Sequence, residues 1–161
     1  MIIQRIKNKL LNWLESIGRK RIIMDRQCNE PLLTRYYLFL KDRKSFPFNV
    51  FLHKFHKGDP GDQHDHPWSY ATFILKGGYY EWTPIFADDG SMVGETRYWR
   101  GPGHFRICSP DSYHRIELVE GVTPWTLFMP GPHKREWGFL VNNKWIHNDS
   151  YLKFKAHNTS N

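Results

Sequence analysis

The stretch "GDQHDHPWSY", residues 61 to 70, sets two histidines, His64 and His66, one residue apart between a Gly-Asp turn and a Pro-Trp turn. In an extended strand residues i and i+2 project from one face, so the two imidazoles aim together and Asp65 points the opposite way. Neutral imidazole suits zinc, iron, nickel and manganese to different degrees. Two imidazoles alone do not make a stable site, which normally needs three protein ligands and open positions for water or substrate. His114 supplies a third candidate. It follows "CSPDSY", a proline turn, and enters the strand-like "HRIELVE", which an antiparallel barrel can lay beside the first histidines. The expectation is a divalent metal ion (Fe, Zn, Ni or Mn) held by His64, His66 and His114. The competing reading has the three merely forming hydrogen bonds at loop ends.

Positioning these residues is the work of the elements around them. After about residue 30 the chain runs through short aromatic and branched segments, "TRYYLFL", "NVFLHKFH", "YATFILKG", "YYEWTPIF", "HFRICS", "HRIELVE" and "WTLFMPG". Turn signals such as "KDRKSFPF", "KGDPGD", "KGG", "ADDGS", "RGPG" and "SPDS" separate them. Many short strands without a helical pattern indicate an all-β sandwich or barrel. The aromatic content of 16% agrees, because pleated sheets favour such side chains. The N-terminus differs: Ile2, Ile6, Leu10, Trp13, Leu14 and Ile17 recur at steps of three and four, with Gly18 as a stop, which predicts an amphipathic helix. Its apolar stripe calls for cover, from the barrel itself or from a second copy in a homodimer. The expected organisation is an N-terminal helix over 1–25, a barrel over 26–155 and a disordered polar tail over 156–161.

Composition narrows the function classes. The 161 residues are the size of one ordinary domain. A net charge of +7 favours anionic partners, but much of the excess lies in residues 1–26, with Arg5, Lys7, Lys9, Arg19, Lys20, Arg21 and Arg26 against Glu15 and Asp25. There is no RNP-like aromatic stripe, helix-turn-helix spacing or Gly-rich phosphate loop, so no dedicated nucleic-acid module is expected. Only Cys28 and Cys108 occur, which argues for a reducing, cytoplasmic setting rather than a disulfide framework. Arg5, Lys7 and Lys9 interrupt the N-terminal apolar run, so neither a signal peptide nor a membrane span is expected.

At the histidines the chain resembles the cupin superfamily (RmlC-like jelly roll). "HDHPWSYATFILKG" matches the HxH and closing glycine (Gly77) of its first motif, with Gly58 at the opening position, and "GPGHFRICSPDSYH" is similar to the second motif around Pro110. The resemblance implies a double-stranded β-helix. Tyr70 stands where the family has its glutamate ligand. Two repairs are open: a three-histidine site resembling the cysteine-dioxygenase branch, in which a tyrosine also lies near the metal, or Glu81 facing inward to supply the carboxylate instead of sitting on an exposed face. More widely, "EPLLTRYYLF", "VFLHKFHKGDPGDQHDHPW", "FILKGGYYE", "REWGF" and "KWIHNDSYLKF" are similar to small cupin-like proteins of bacteria and their phages with an HxHPW motif. That narrower likeness bears on architecture rather than chemistry. For a small-molecule substrate the catalytic candidates are Tyr70 and Glu81, and the substrate-binding candidates are Arg106, Arg115 and His53. His53 also reads as a core histidine, and Trp68 as a packing aromatic. Three functions are carried forward: a mononuclear non-haem metal oxygenase or dioxygenase-like enzyme on a small polar or anionic substrate, a non-catalytic ligand-binding cupin, and a metal-free sugar-nucleotide epimerase or isomerase.

Overall fold

The computed structural model describes residues 2–41, 46–59 and 61–159. In chain order they form α1 (Ile2–Ser16), β1 (Lys20–Met24), β2 (Pro31–Tyr37), β3 (Phe51–Phe55), β4 (Gln63–His64), β5 (Trp68–Lys76), β6 (Tyr79–Phe86), β7 (Met92–Arg100), β8 (Phe105–Cys108), β9 (Arg115–Leu118), β10 (Trp125–His133), β11 (Gly138–Val141), β12 (Lys144–His147) and α2 (Tyr151–Thr159). Part of the "KDRKSFPF" turn, Pro60 of "KGDPGD" and the last two residues lie outside the described residues.

One layer is the antiparallel sheet β1-β2-β3-β10-β5-β8. Facing it are β12-β11-β4 and β7-β6-β9, joined into one wall by a bridge between His64 and His114. There each backbone N–H donates to the other's carbonyl, at 2.9 and 3.0 Å. The result is the jelly-roll barrel that the strand pattern implies. Strand alternation sorts the side chains: Leu33, Phe55, Ile74, Tyr79 and Ile116 fill the interior, while Tyr36, Leu52, Trp125 and Leu127 point outward.

The outward residues receive α1, but by a narrower contact than the apolar stripe predicts. Leu14 and Leu11 pack on them, whereas Ile2, Ile6, Leu10, Trp13 and Ile17 are exposed. At the other end, α2 is a helix the sequence reading does not anticipate; it occupies much of the stretch expected to be a polar tail. Tyr151 anchors it by stacking on Phe139, 3.8 Å between ring centroids, with its hydroxyl donating to Asp62. Both cysteines are free. Among the described residues no helix is long and apolar enough to cross a membrane.

The chain passes from β5 in one layer to β6 in the other through Gly77 and Gly78, with φ of 74° and 142°. A Cβ on Gly78 would lie 2.6 Å from the Trp99 ring and 2.7 Å from the Arg100 carbonyl oxygen. Gly78→Ala therefore meets both backbone strain and a clash, and is expected to cost about 1–3 kcal/mol. An unchanged denaturant midpoint would contradict this.

Candidate metal centre

His64 ends β4, His66 follows it by two residues, and His114 immediately precedes β9. Their ligand nitrogens all lie within 4.8 Å of one another, and His66 Nε2 is 2.9 Å from His114 Nε2. Two imidazole nitrogens bound to one ion at about 2.1 Å and at right angles stand about 3 Å apart, so the spacing fits a pair of adjacent ligands. What turns both histidines of the HxH inward is the residue between them. Asp65 is fully buried on the other side, accepting from Gly138 N–H at 2.6 Å, Arg135 at 2.6 Å and Trp145 Nε1 at 3.0 Å. A buried carboxylate with three donors is hard to dislodge, and it fixes the strand's facing.

Behind His114 stands Glu81. Its Oε1 lies 2.9 Å from His114 Nδ1, and its Oε2 accepts from Arg100 Nε at 2.8 Å and from Arg106 Nη1. Burial pushes the carboxyl pKa up, but His114, Arg106 and Arg100 outweigh it and hold the pKa at about 2. An ionised Glu81 selects the tautomer of His114 with the proton on Nδ1, leaving the Nε2 lone pair toward the other histidines. The sequence left Glu81 open between interior and surface; it is interior, as a partner of His114.

Burial lowers the pKa of His64 to about 4 despite Asp59, and drives that of His66 well below its ordinary value, with His64 and His114 adding to the effect. Neutral imidazole is the metal-binding form. The depressed values also set the sign of a pH effect. Between the unfolded pKa near 6.5 and the folded value near 4, the unfolded chain binds the proton that the folded chain refuses, so stability falls as pH falls through that window. With no metal bound, His64 alone is expected to contribute on the order of 3 kcal/mol of this loss. Urea midpoints that stay flat from pH 7 to 4 would contradict the burial of these rings.

No family model matches the sequence, and no curated protein matches it. Solved structures do. The polyketide cyclase RemF from Streptomyces resistomycificus aligns with a TM-score of 0.58 at 15% identity, covering 84% of this chain and 89% of its own. A cupin-2 domain protein from Rhodospirillum rubrum aligns with a TM-score of 0.54 at 14% identity, over 85% and 80% of the two chains. The chain has the cupin fold. Fe(II)-HppE with the alternative substrate (S)-1-HPP aligns at a TM-score of 0.50 and 12% identity, over 71% of this chain and 57% of its own.

In this cupin barrel the triad opens onto an interior cavity of about 160 Å³. Tyr70 lines it with its ring 4.7 Å from that of His66, and burial raises the phenol pKa well above 10, so it stays a donor. His53 also lines it, stacked on Phe128 at 5.2 Å and accepting from Arg35 Nε at 3.0 Å. The two arginines singled out from the sequence do not line the cavity. Arg115 follows His114 and so points outward, where it forms a two-pronged pair with Glu95, at 3.0 and 2.7 Å, and covers Trp82. Arg106 faces inward at the sheet edge, but Glu81 takes it up. Sequence reasoning missed Arg35 and the cavity role of Trp68. Alternation along "LLTRYY" could have placed Arg35 on the face of Leu33; its register opposite His53 is a long-range fact.

Proposed function

We propose that this cupin is a metal-dependent enzyme of the mononuclear oxygenase type, acting on a small polar or anionic substrate in the cavity beside His64, His66 and His114. The observation that supports it most is the convergence of three imidazoles within 4.8 Å at the cavity wall, one of them held by a buried carboxylate. A divalent ion held by the three would supply Lewis acidity and open positions at which a substrate and O₂ meet. Around it, Glu81 keeps His114 in one tautomer and orientation. Tyr70, protonated at every ordinary pH, has its hydroxyl on the weak acceptor Cys108 and would turn that proton to a substrate oxygen on binding. Phe55, Ile116 and Phe128 form apolar walls that exclude bulk water. The likeness to Fe(II)-HppE is in keeping with this reading.

One observation favours a second reading. The 2.9 Å contact of His66 with His114 also equips the two rings to pass a proton without metal, as an isomerase or epimerase requires. Oxygen uptake with a panel of small acids separates the readings. Uptake with Fe(II)-loaded protein and none after chelation supports the oxygenase. Turnover that survives chelation favours the metal-free enzyme, and saturable ligand stabilisation without product would leave a binding module.

A further inference from the structure

Five arginines around the site have a carboxylate: Arg100 and Arg106 pair with Glu81, Arg115 with Glu95, Arg135 with Asp65 and Arg97 with Glu117. Arg35 does not. It lines the cavity, and among the described residues it makes no ion pair; its polar side-chain neighbours are His53 and Tyr37. Its guanidinium lies 4.5 Å from the centroid of Phe51. Burying a guanidinium without an anion costs free energy, and proteins ordinarily repay it with a carboxylate or a bound anion. The cavity's own carboxylates are not free to do so: Glu81 is engaged as described, and Asp59 accepts from Ile116 N–H at 2.7 Å. A second donor is unmatched. Trp68 lines the same cavity, and its indole Nε1 is buried with no acceptor among the described residues.

We infer that Arg35 is the anchor for an oxyanion, a carboxylate or phosphoryl group, on a small substrate whose remainder lies toward His64, His66 and His114. Distances link the two ends of the cavity: Arg35 to His53 at 3.0 Å, His53 to Phe128 at 5.2 Å and Phe128 to His66 at 6.2 Å, the last two between ring centroids. His53 is a positioning residue: its Nε2 takes the guanidinium's Nε–H, so the anion's oxygens meet the terminal nitrogens, beside the neutral Tyr37 hydroxyl that also contacts the guanidinium. The inference rests on the cavity being the substrate site, and its test needs neither metal nor turnover.

Calorimetric titration of the metal-free, full-length protein with acetate, inorganic phosphate and neutral acetamide tests it. One of the two anions is expected to bind saturably and acetamide not at all; which anion binds distinguishes a carboxylate site from a phosphoryl site. Arg35→Gln should weaken that binding about tenfold or more, and Arg35→Lys, which keeps the charge but not the planar fork, should fall between. If Arg35→Gln does not fold, Arg35→Lys decides. Metal content should be unchanged in the Arg35 variants, whereas His114→Ala should lose metal and still bind the anion, so failure of the anchor and failure of the metal centre read differently. No saturable binding of either anion to the wild-type protein, or wild-type affinity in the variants, would overturn the inference.

Discussion

Replacing His64 and His114 together by alanine is expected to take bound divalent metal from about one ion per chain to background, as read by elemental analysis of protein purified without chelating resin. Losing one outer partner of a metal ligand costs about 10–100-fold in affinity, so losing two of three ligands should cost far more. The fold should survive, because the bridge between these residues is made by backbone groups that the substitutions leave in place. His133→Ala, at an exposed position, should keep its metal and serves as the control. Equal metal in the double variant and the wild type would place the ion elsewhere and remove the three-histidine site.

The second large effect is expected at Glu81. Glu81→Ala leaves Arg100 and Arg106 facing each other without their shared carboxylate and leaves His114 Nδ1 unheld. Breaking a buried ionic cluster by removing one partner typically costs about 3–5 kcal/mol. For a chain of this size that corresponds to a drop in Tm of about 10 °C. Metal affinity should fall as well, by about 10–100-fold, because the ring that presents Nε2 loses the group that fixes its tautomer. Glu81→Gln, which keeps an acceptor for His114 but not the charge, should lie between. A Glu81→Ala protein with wild-type stability and metal affinity would mean that the carboxylate is only filling space.

How much of this is written locally in the chain differs from residue to residue. The HxH is legible because strand periodicity alone makes His64 and His66 converge, and the buried ties of Asp65 show the other half of the same rule. The proline turn before His114 is a local signal too. Glu81 could not be resolved from the sequence, because facing depends on which layer β6 joins after the Gly77–Gly78 crossing. Arg106, Arg115 and Arg35 show the limit most clearly. All three are arginines on strands, and what separates them is the carboxylate each meets: Glu81 from the facing layer for Arg106, Glu95 from the same sheet for Arg115 and, among the described residues, none for Arg35. Those encounters join residues 20 or more positions apart. The helix α2 was missed for a related reason. Its sequence has little periodicity, and what holds it is distant in the chain: Tyr151 and Phe154 pack on the β11 cluster, and Lys155 pairs with Asp62 at 2.6 Å.

The central claim, that three imidazoles of this barrel hold one divalent ion, is tested most directly by X-ray absorption at the metal edge of zinc-loaded protein. The expected spectrum has three imidazole nitrogens at about 2.0–2.1 Å, the rest of the shell being light atoms from water, with neither protein carboxylate nor sulfur bound. A spectrum with fewer than three imidazoles, or with a thiolate at about 2.3 Å from Cys28 or Cys108, would contradict it.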